Sequence, residues 1–282
     1  MRRNPRLFIA IAIALFGAFS YFGARSTNEV TGEVQHVSMT PDQEIALGLQ
    51  SSPQMMEEFG GELGHPSIDQ YVEAVGQRVV QRSAAARGPY KYDFHVLRDP
   101  QTVNAFALPG GQISITLGLL RRLKNEAELA GVLGHEVGHV VGRHSAEQIS
   151  KQRFAQTLVG AVGVASYDPN RPMGGAQAAA MAAMVAQMVN MKYGREDELQ
   201  SDSIGVQFLT QSGYDARGMI DLMKVLAEAG GGGNRPEFAS SHPSPENRIA
   251  RLQELIQQSG RAAGADVGAE RFQQNVLKYL KQ

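Results

Sequence analysis

The 282-residue chain has no cysteine. That one absence removes disulfides, thiolate metal ligands, cysteine nucleophiles and lipid attachment through a thiol, so any metal must sit on His, Asp or Glu. Charge of one sign is not in excess either: 27 Lys and Arg face 28 Asp and Glu, for a formal net charge of -1. This balance excludes the broad basic face of a nucleic-acid binder and leaves small-molecule or polypeptide partners. No internal repeat is present, which excludes a solenoid. With 43% hydrophobic residues, the chain has material for a large core, as one domain or as a domain with appendages.

The start of the chain differs from the rest. A basic leader, MRRNPR, precedes LFIAIAIALFGAFSYFGA from Leu7 to Ala24, which carries no charge. Basic residues ahead of an apolar run hold the N-terminus in the cytoplasm and send the remainder outward. Residues 1–24 are therefore expected to be an export signal or an N-terminal membrane anchor, with AFS, ending at Ser20, offering a small-residue cleavage site. The protein is expected to act outside the cytoplasm.

Beyond a linker at 25–38, Thr40 with Gln43 three residues on forms a capping box that opens a helix. In PSIDQYVEAVGQRVVQRSA, Ile68, Tyr71, Val72, Val75, Val79 and Val80 recur at helical spacing. YDFHVL and NAFALPGGQISITLGLL then turn to β-branched and aromatic residues about a Pro109-Gly110-Gly111 turn, which predicts a small antiparallel sheet. Helix is expected again from about Asn125 to Ile149, through the Ala- and Met-rich stretch 173–192 as adaptable core packing, and up to Gly213. Four glycines at 230–233 mark a loop, Pro245 stands near the first turn of a last amphipathic helix, and 260–282 reads as a polar helix or tail.

The chemistry gathers in GVLGHEVGHVVGRHS, residues 131–145. On a helix, His135 and His139 lie one above the other and can aim two imidazoles at one point. Glu136 projects to the side where a general base for attack on a carbonyl must stand. The five-residue pattern arises by chance in roughly one chain of this length in a hundred, so a third ligand has to decide. His95, His144 and the downstream acids compete for that place. In EDELQSD, Glu198 and Asp202 are again four apart: one could ligate while the other orients a ligand histidine. Glu196, Asp197, Glu198 and Asp202 could equally form a solvated acidic face. His144, five residues after His139, is expected to point away from the metal and to pack or hydrogen-bond nearby.

NAFALPGG, HEVGHVVGRHS, ELQSD followed by GYD, and SHPSPENRI occur in an order and at spacings that resemble peptidase family M48. This group holds the HtpX-type, Oma-type and CAAX prenyl protease-type zinc metallopeptidases. The resemblance covers Met39 to Gln257, and the single apolar segment is most similar to exported bacterial members. It implies a mostly helical α+β, zincin-like (gluzincin) domain over 39–259, binding one zinc ion per chain. It also implies His135, His139 and Glu198 as ligands, Glu136 as base, and Asp202 behind a ligand histidine. Ser201 stands where the family usually has Ala. The family's His-Pro loop and the arginine six residues on place His242 and Arg248 at the metal, as oxyanion donors; His242 could instead cap the metal in a latent state. Asn104 and Ala105 would line the cleft on a strand that pairs with substrate main chain. The activity implied is zinc-dependent endoproteolysis of unfolded or misassembled polypeptides in the periplasm, by a protein that is soluble or held at the inner membrane by its N-terminal segment. The alternative is a zinc-stabilised chaperone or assembly module that rarely cuts.

Overall fold

A computed structural model describes residues 5–165, 192–229, 237–242, 248–259 and 266–280. Most of these are helical. The chain runs α1 (Pro5–Gly23), a two-stranded ribbon β1 (Arg25–Thr27) and β2 (Val34–His36), α2 (Pro41–Glu57), α3 (Pro66–Gln81), strands β3 (Asp93–Leu97), β4 (Ala105–Ala107) and β5 (Gln112–Thr116), and a single turn α4 (Leu117–Leu120). There follow α5 (Glu126–Val141), α6 (His144–Ala165), α7 (Arg195–Ser212), α8 (Gly218–Ala229), α9 (Glu237–Ser241) and α10 (Arg248–Gln258). A last helical stretch comprises Ala269–Phe272, Gln273–Leu277 and Lys278–Leu280 end to end.

Local signals held where local physics decides. Thr40 and Gln43 cap α2 reciprocally, and α3 buries Ile68, Val72, Val75, Val79 and Val80 on one face. Gly213 ends α7 in the left-handed region. Two expectations need correction. The sheet is mixed: β4 and β5 form the predicted antiparallel hairpin, but β3 lies parallel to β5 in the order β3-β5-β4. Parallel neighbours need a long return connection, and residues 98–111, with β4 inside them, provide it. The motif helix also does not run on to Ile149. It stops at Gly142, and Arg143 adopts φ 58 before α6 begins at His144. The Met-rich stretch falls largely within 166–191, and that part, the glycines at 230–233 and Pro245 lie outside the described residues.

All sixteen residues of α5 are buried, with α3, α7 and α8 and the sheet packed about it. Its approach to α7 is close because glycines face the contact. A Cβ on Gly138 would come within 3.1 Å of Ser201 Cα, and one on Gly134 within 2.7 Å of Leu209 Cδ1. This small-residue seam carries the functional groups of both helices into one buried space. The C-terminal stretch adds Phe272 and Val276 to the same core. Helix α1 stands apart: it packs along α6 but leaves Leu15, Phe16, Phe19 and Phe22 more than half exposed.

Candidate metal centre

Asn125 caps α5 by accepting from Glu128 N–H at 2.9 Å, which fixes the helix start nearly three turns ahead of His135. His135 and His139 then bring their Nε2 atoms to 3.1 Å of one another. From α7, Glu198 Oε2 lies 3.5 Å from His135 Nε2 and Oε1 lies 3.4 Å from His139 Nε2. His242, at the end of α9, sets its Nδ1 2.9 Å from Glu198 Oε1. One donor atom from each of these four buried residues falls within 4.8 Å of the others. The acidic residues of α7 thus divide: Glu198 and Asp202 turn inward and are buried, whereas Glu196 is exposed.

The surroundings supply charge and orientation. His135 Nδ1–H donates to Asp202 Oδ1 at 3.1 Å. Arg248 forks onto Asp202, with Nε to Oδ2 at 2.6 Å and Nη2 to Oδ1 at 2.7 Å, and sets Nη1 3.1 Å from Glu198 Oε2. Burial would raise the Asp202 pKa, but the bond from His135 and the charge of Arg248 prevail and hold it low. Burial would raise Glu198 as well, and the neighbouring histidines bring it well below the usual range. For His135 burial opposes protonation, yet its bonds to Asp202 and Glu198 lift the pKa to about 9. His139 is pushed well down by burial, to which His135 adds.

Glu136 is the exception. Burial dominates and raises its pKa, and neither of its oxygens has a hydrogen-bond partner, with His242 Nε2 3.6 Å away and also unpartnered. A buried carboxyl without protein partners is costly, and Glu136 stands in this state beside the donor cluster.

Beside the cluster lies a cavity of about 30 Å³, lined by Asn104, Phe106, Leu108, Tyr193 and His242 among others. Asn104 is buried there with its Oδ1 unpartnered. Ala105 lies on β4 at the sheet edge but does not line the cavity. His95 sits elsewhere, held by Glu62 at 2.7 Å and Gln112 at 3.1 Å.

The donor set and its helices agree with a match of residues 66–256 to the family model described as Peptidase family M48. The chain belongs to this family. A beta-barrel assembly-enhancing protease of Yersinia pestis is 31% identical over 216 residues, covering 76% of this chain and 44% of that protein. The protein of the same name in Escherichia coli (strain K12) is 31% identical over 67% of this chain and 39% of its own length. The mitochondrial metalloendopeptidase OMA1 of Schizosaccharomyces pombe is 29% identical over 90% of this chain and 74% of its own. The chain thus spans less than half the length of the first two.

One residue of this M48 chain, Tyr193, was not anticipated from the sequence. Tyr193 stacks on His139 with ring centroids 3.9 Å apart and bonds Ser145 Oγ at 2.8 Å. Its only sequence signal is its place just ahead of the acidic helix. His144 was expected to point away from the metal and to pack or hydrogen-bond nearby, and it does, but the spacing did not foretell a direct contact with His139, whose Nδ1 is 2.9 Å from His144 Nδ1. An i+5 residue points elsewhere only if the helix continues, and here it breaks at Gly142 and Arg143.

Proposed function

We propose that this M48 chain is a zinc-dependent metalloendopeptidase of gluzincin type. The observation that carries the reading is the buried convergence of two imidazoles and a carboxylate beside a second, partnerless carboxyl, Glu136. Two nitrogen donors with one carboxylate suit zinc and leave a position open for catalysis, whereas calcium and magnesium favour all-oxygen sites. His135, His139 and Glu198 would hold the ion. When bound, zinc supplies Lewis-acid polarisation of the scissile carbonyl and eases deprotonation of water. Glu136 takes the proton of the attacking water and returns it to the leaving amine, and its raised pKa suits both transfers. Arg248 neutralises the buried pair Asp202 and Glu198 and adds a cation near the developing oxyanion.

His242 has two readings. As an oxyanion donor it would act on the intermediate; as a cap it would occupy the open position at rest. Its Nδ1 contact with Glu198 at 2.9 Å supports the cap. Opening would then expose Asn104 and the edge of β4 to an extended polypeptide.

The substrates proposed are unfolded or misassembled proteins outside the cytoplasm; the likeness to assembly-enhancing proteases supports the first part of this reading. Among the described residues α1 is the helix long and apolar enough to cross a membrane, and we place it there as a retained anchor rather than a cleaved signal. Support comes from its packing on α6: Gly17 faces Thr157, and Tyr21 stacks on Phe154 at 4.8 Å.

The test is zinc content and hydrolysis of an unfolded polypeptide by the wild type and by Glu136→Gln. The variant should keep one zinc per chain and lose hydrolysis, since the base is not a ligand. Undiminished cleavage would defeat the mechanism, and a metal-loaded wild type without cleavage would favour the assembly-module reading.

A further inference from the structure

Each ligand histidine has a second ring nitrogen to satisfy. For His135 the partner is the Asp202 carboxylate. For His139 the partner is His144, with the two Nδ1 atoms 2.9 Å apart. Facing imidazole nitrogens can bond only when one carries a proton and the other a lone pair. The far side of His144 decides between them, because its Nε2 lies 2.7 Å from Gln200 Oε1, a carbonyl oxygen that only accepts. The proton of neutral His144 therefore sits on Nε2, and its Nδ1 presents a lone pair. Ser201 Oγ, 3.3 Å from that Nδ1, can donate to the same lone pair. His139 must then carry its own proton on Nδ1, leaving the Nε2 lone pair directed at the metal donors. With the Gln200 amide reversed, the chain of bonds would invert and protonate His139 Nε2, the tautomer that cannot ligate.

We propose that His144, backed by Gln200 and Ser201, is the positioning residue that holds His139 in its metal-binding tautomer. The helix break exists in a form that serves this. Arg143 takes a left-handed conformation unfavourable for a residue with a side chain, and it is held there by Nε donating to Glu44 Oε1 at 2.9 Å and Nη2 to Met39 O at 2.8 Å. The turn folds His144 back beneath His139. Gly142 leaves the space required, since a Cβ there would lie 2.4 Å from His144 Nε2 and 2.8 Å from Gln200 Oε1. Ser201, the departure from the family's usual Ala, thereby acquires a contact that Ala could not make.

The inference rests on the zinc reading above, and the two fail differently. His144→Phe keeps a ring without an acceptor, and zinc affinity measured by chelator competition should fall about tenfold to a hundredfold, the usual effect of losing a ligand's orienting partner. His144→Asn places Oδ1 where Nδ1 was and should recover most of that loss, which a purely steric role for the ring would not allow. Equal affinity of wild type and His144→Phe, or no recovery in His144→Asn, overturns the inference. A wild type that binds no zinc overturns the zinc reading instead. Should His144→Phe fail to fold, nitrogen-15 imidazole spectra of the zinc-loaded wild type decide: a proton on His139 Nδ1 and none on His144 Nδ1 is expected, and the reverse overturns it.

Discussion

Arg248 offers the sharpest test of how the centre is held together before any ion arrives. It is buried, and one guanidinium compensates two buried carboxylates, with bonds of 2.6 and 2.7 Å to Asp202 and a 3.1 Å ion pair to Glu198. Arg248→Met retains apolar bulk and removes the charge. Removing one partner of a buried pair costs about 3–5 kcal/mol, and with two carboxylates stranded the upper end applies, a large share of the roughly 5–15 kcal/mol that stabilises a domain. Urea unfolding of the ion-free protein at neutral pH reads this directly. The pH dependence supplies a check of sign. Burial would raise Asp202, but His135 and Arg248 hold its pKa below the unfolded value. Its stabilisation is therefore present above the unfolded pKa and lost as pH falls through the folded one, so wild type and variant should converge in acid. Adding Asp202→Asn to Arg248→Met should recover part of the loss, because a neutral amide needs no counter-charge. A loss below about 1 kcal/mol at neutral pH would refute this account of Arg248 and place it with surface charges.

His242→Ala should raise basal cleavage of a short peptide if the side chain caps the centre; a fall by about two to three orders of magnitude would assign it to the oxyanion instead. Glu126, at the start of α5, is raised by burial but lowered on balance by bonds from Arg271, Tyr71 and Tyr214. Its contribution should be present at neutral pH and lost in acid below the ordinary value of 4.5, so Glu126→Gln should destabilise at pH 7 and match wild type in strong acid; equal unfolding midpoints at pH 7 would contradict this. Because the chain has no cysteine, a single Leu15→Cys reports the fate of α1. In membranes it should resist an impermeant maleimide while remaining in the mature protein, and ready labelling, or loss of the residue with a cleaved signal, would remove the anchor.

The features legible in the sequence are those set by a few neighbouring residues. His135, Glu136 and His139 share one helical face because the backbone repeats every 3.6 residues, and the Thr40 box and the Pro109 to Gly111 hairpin are equally local. The family followed from four such stretches in order. Tertiary structure decided the rest. No spacing rule chooses Glu198 over Glu196, His95 or His144 to stand beside the two Nε2 atoms; that choice comes from the crossing of α5 and α7 over Gly134 and Gly138. The parallel pairing of β3 with β5 depends on a connection whose path is set by what it packs against. His144 shows the limit most clearly. Its direction depends on a helix break at Arg143, and that break depends on Glu44, 99 residues earlier in the chain. A contact at that separation is invisible to periodicity, because it is made only when the core brings the two segments together.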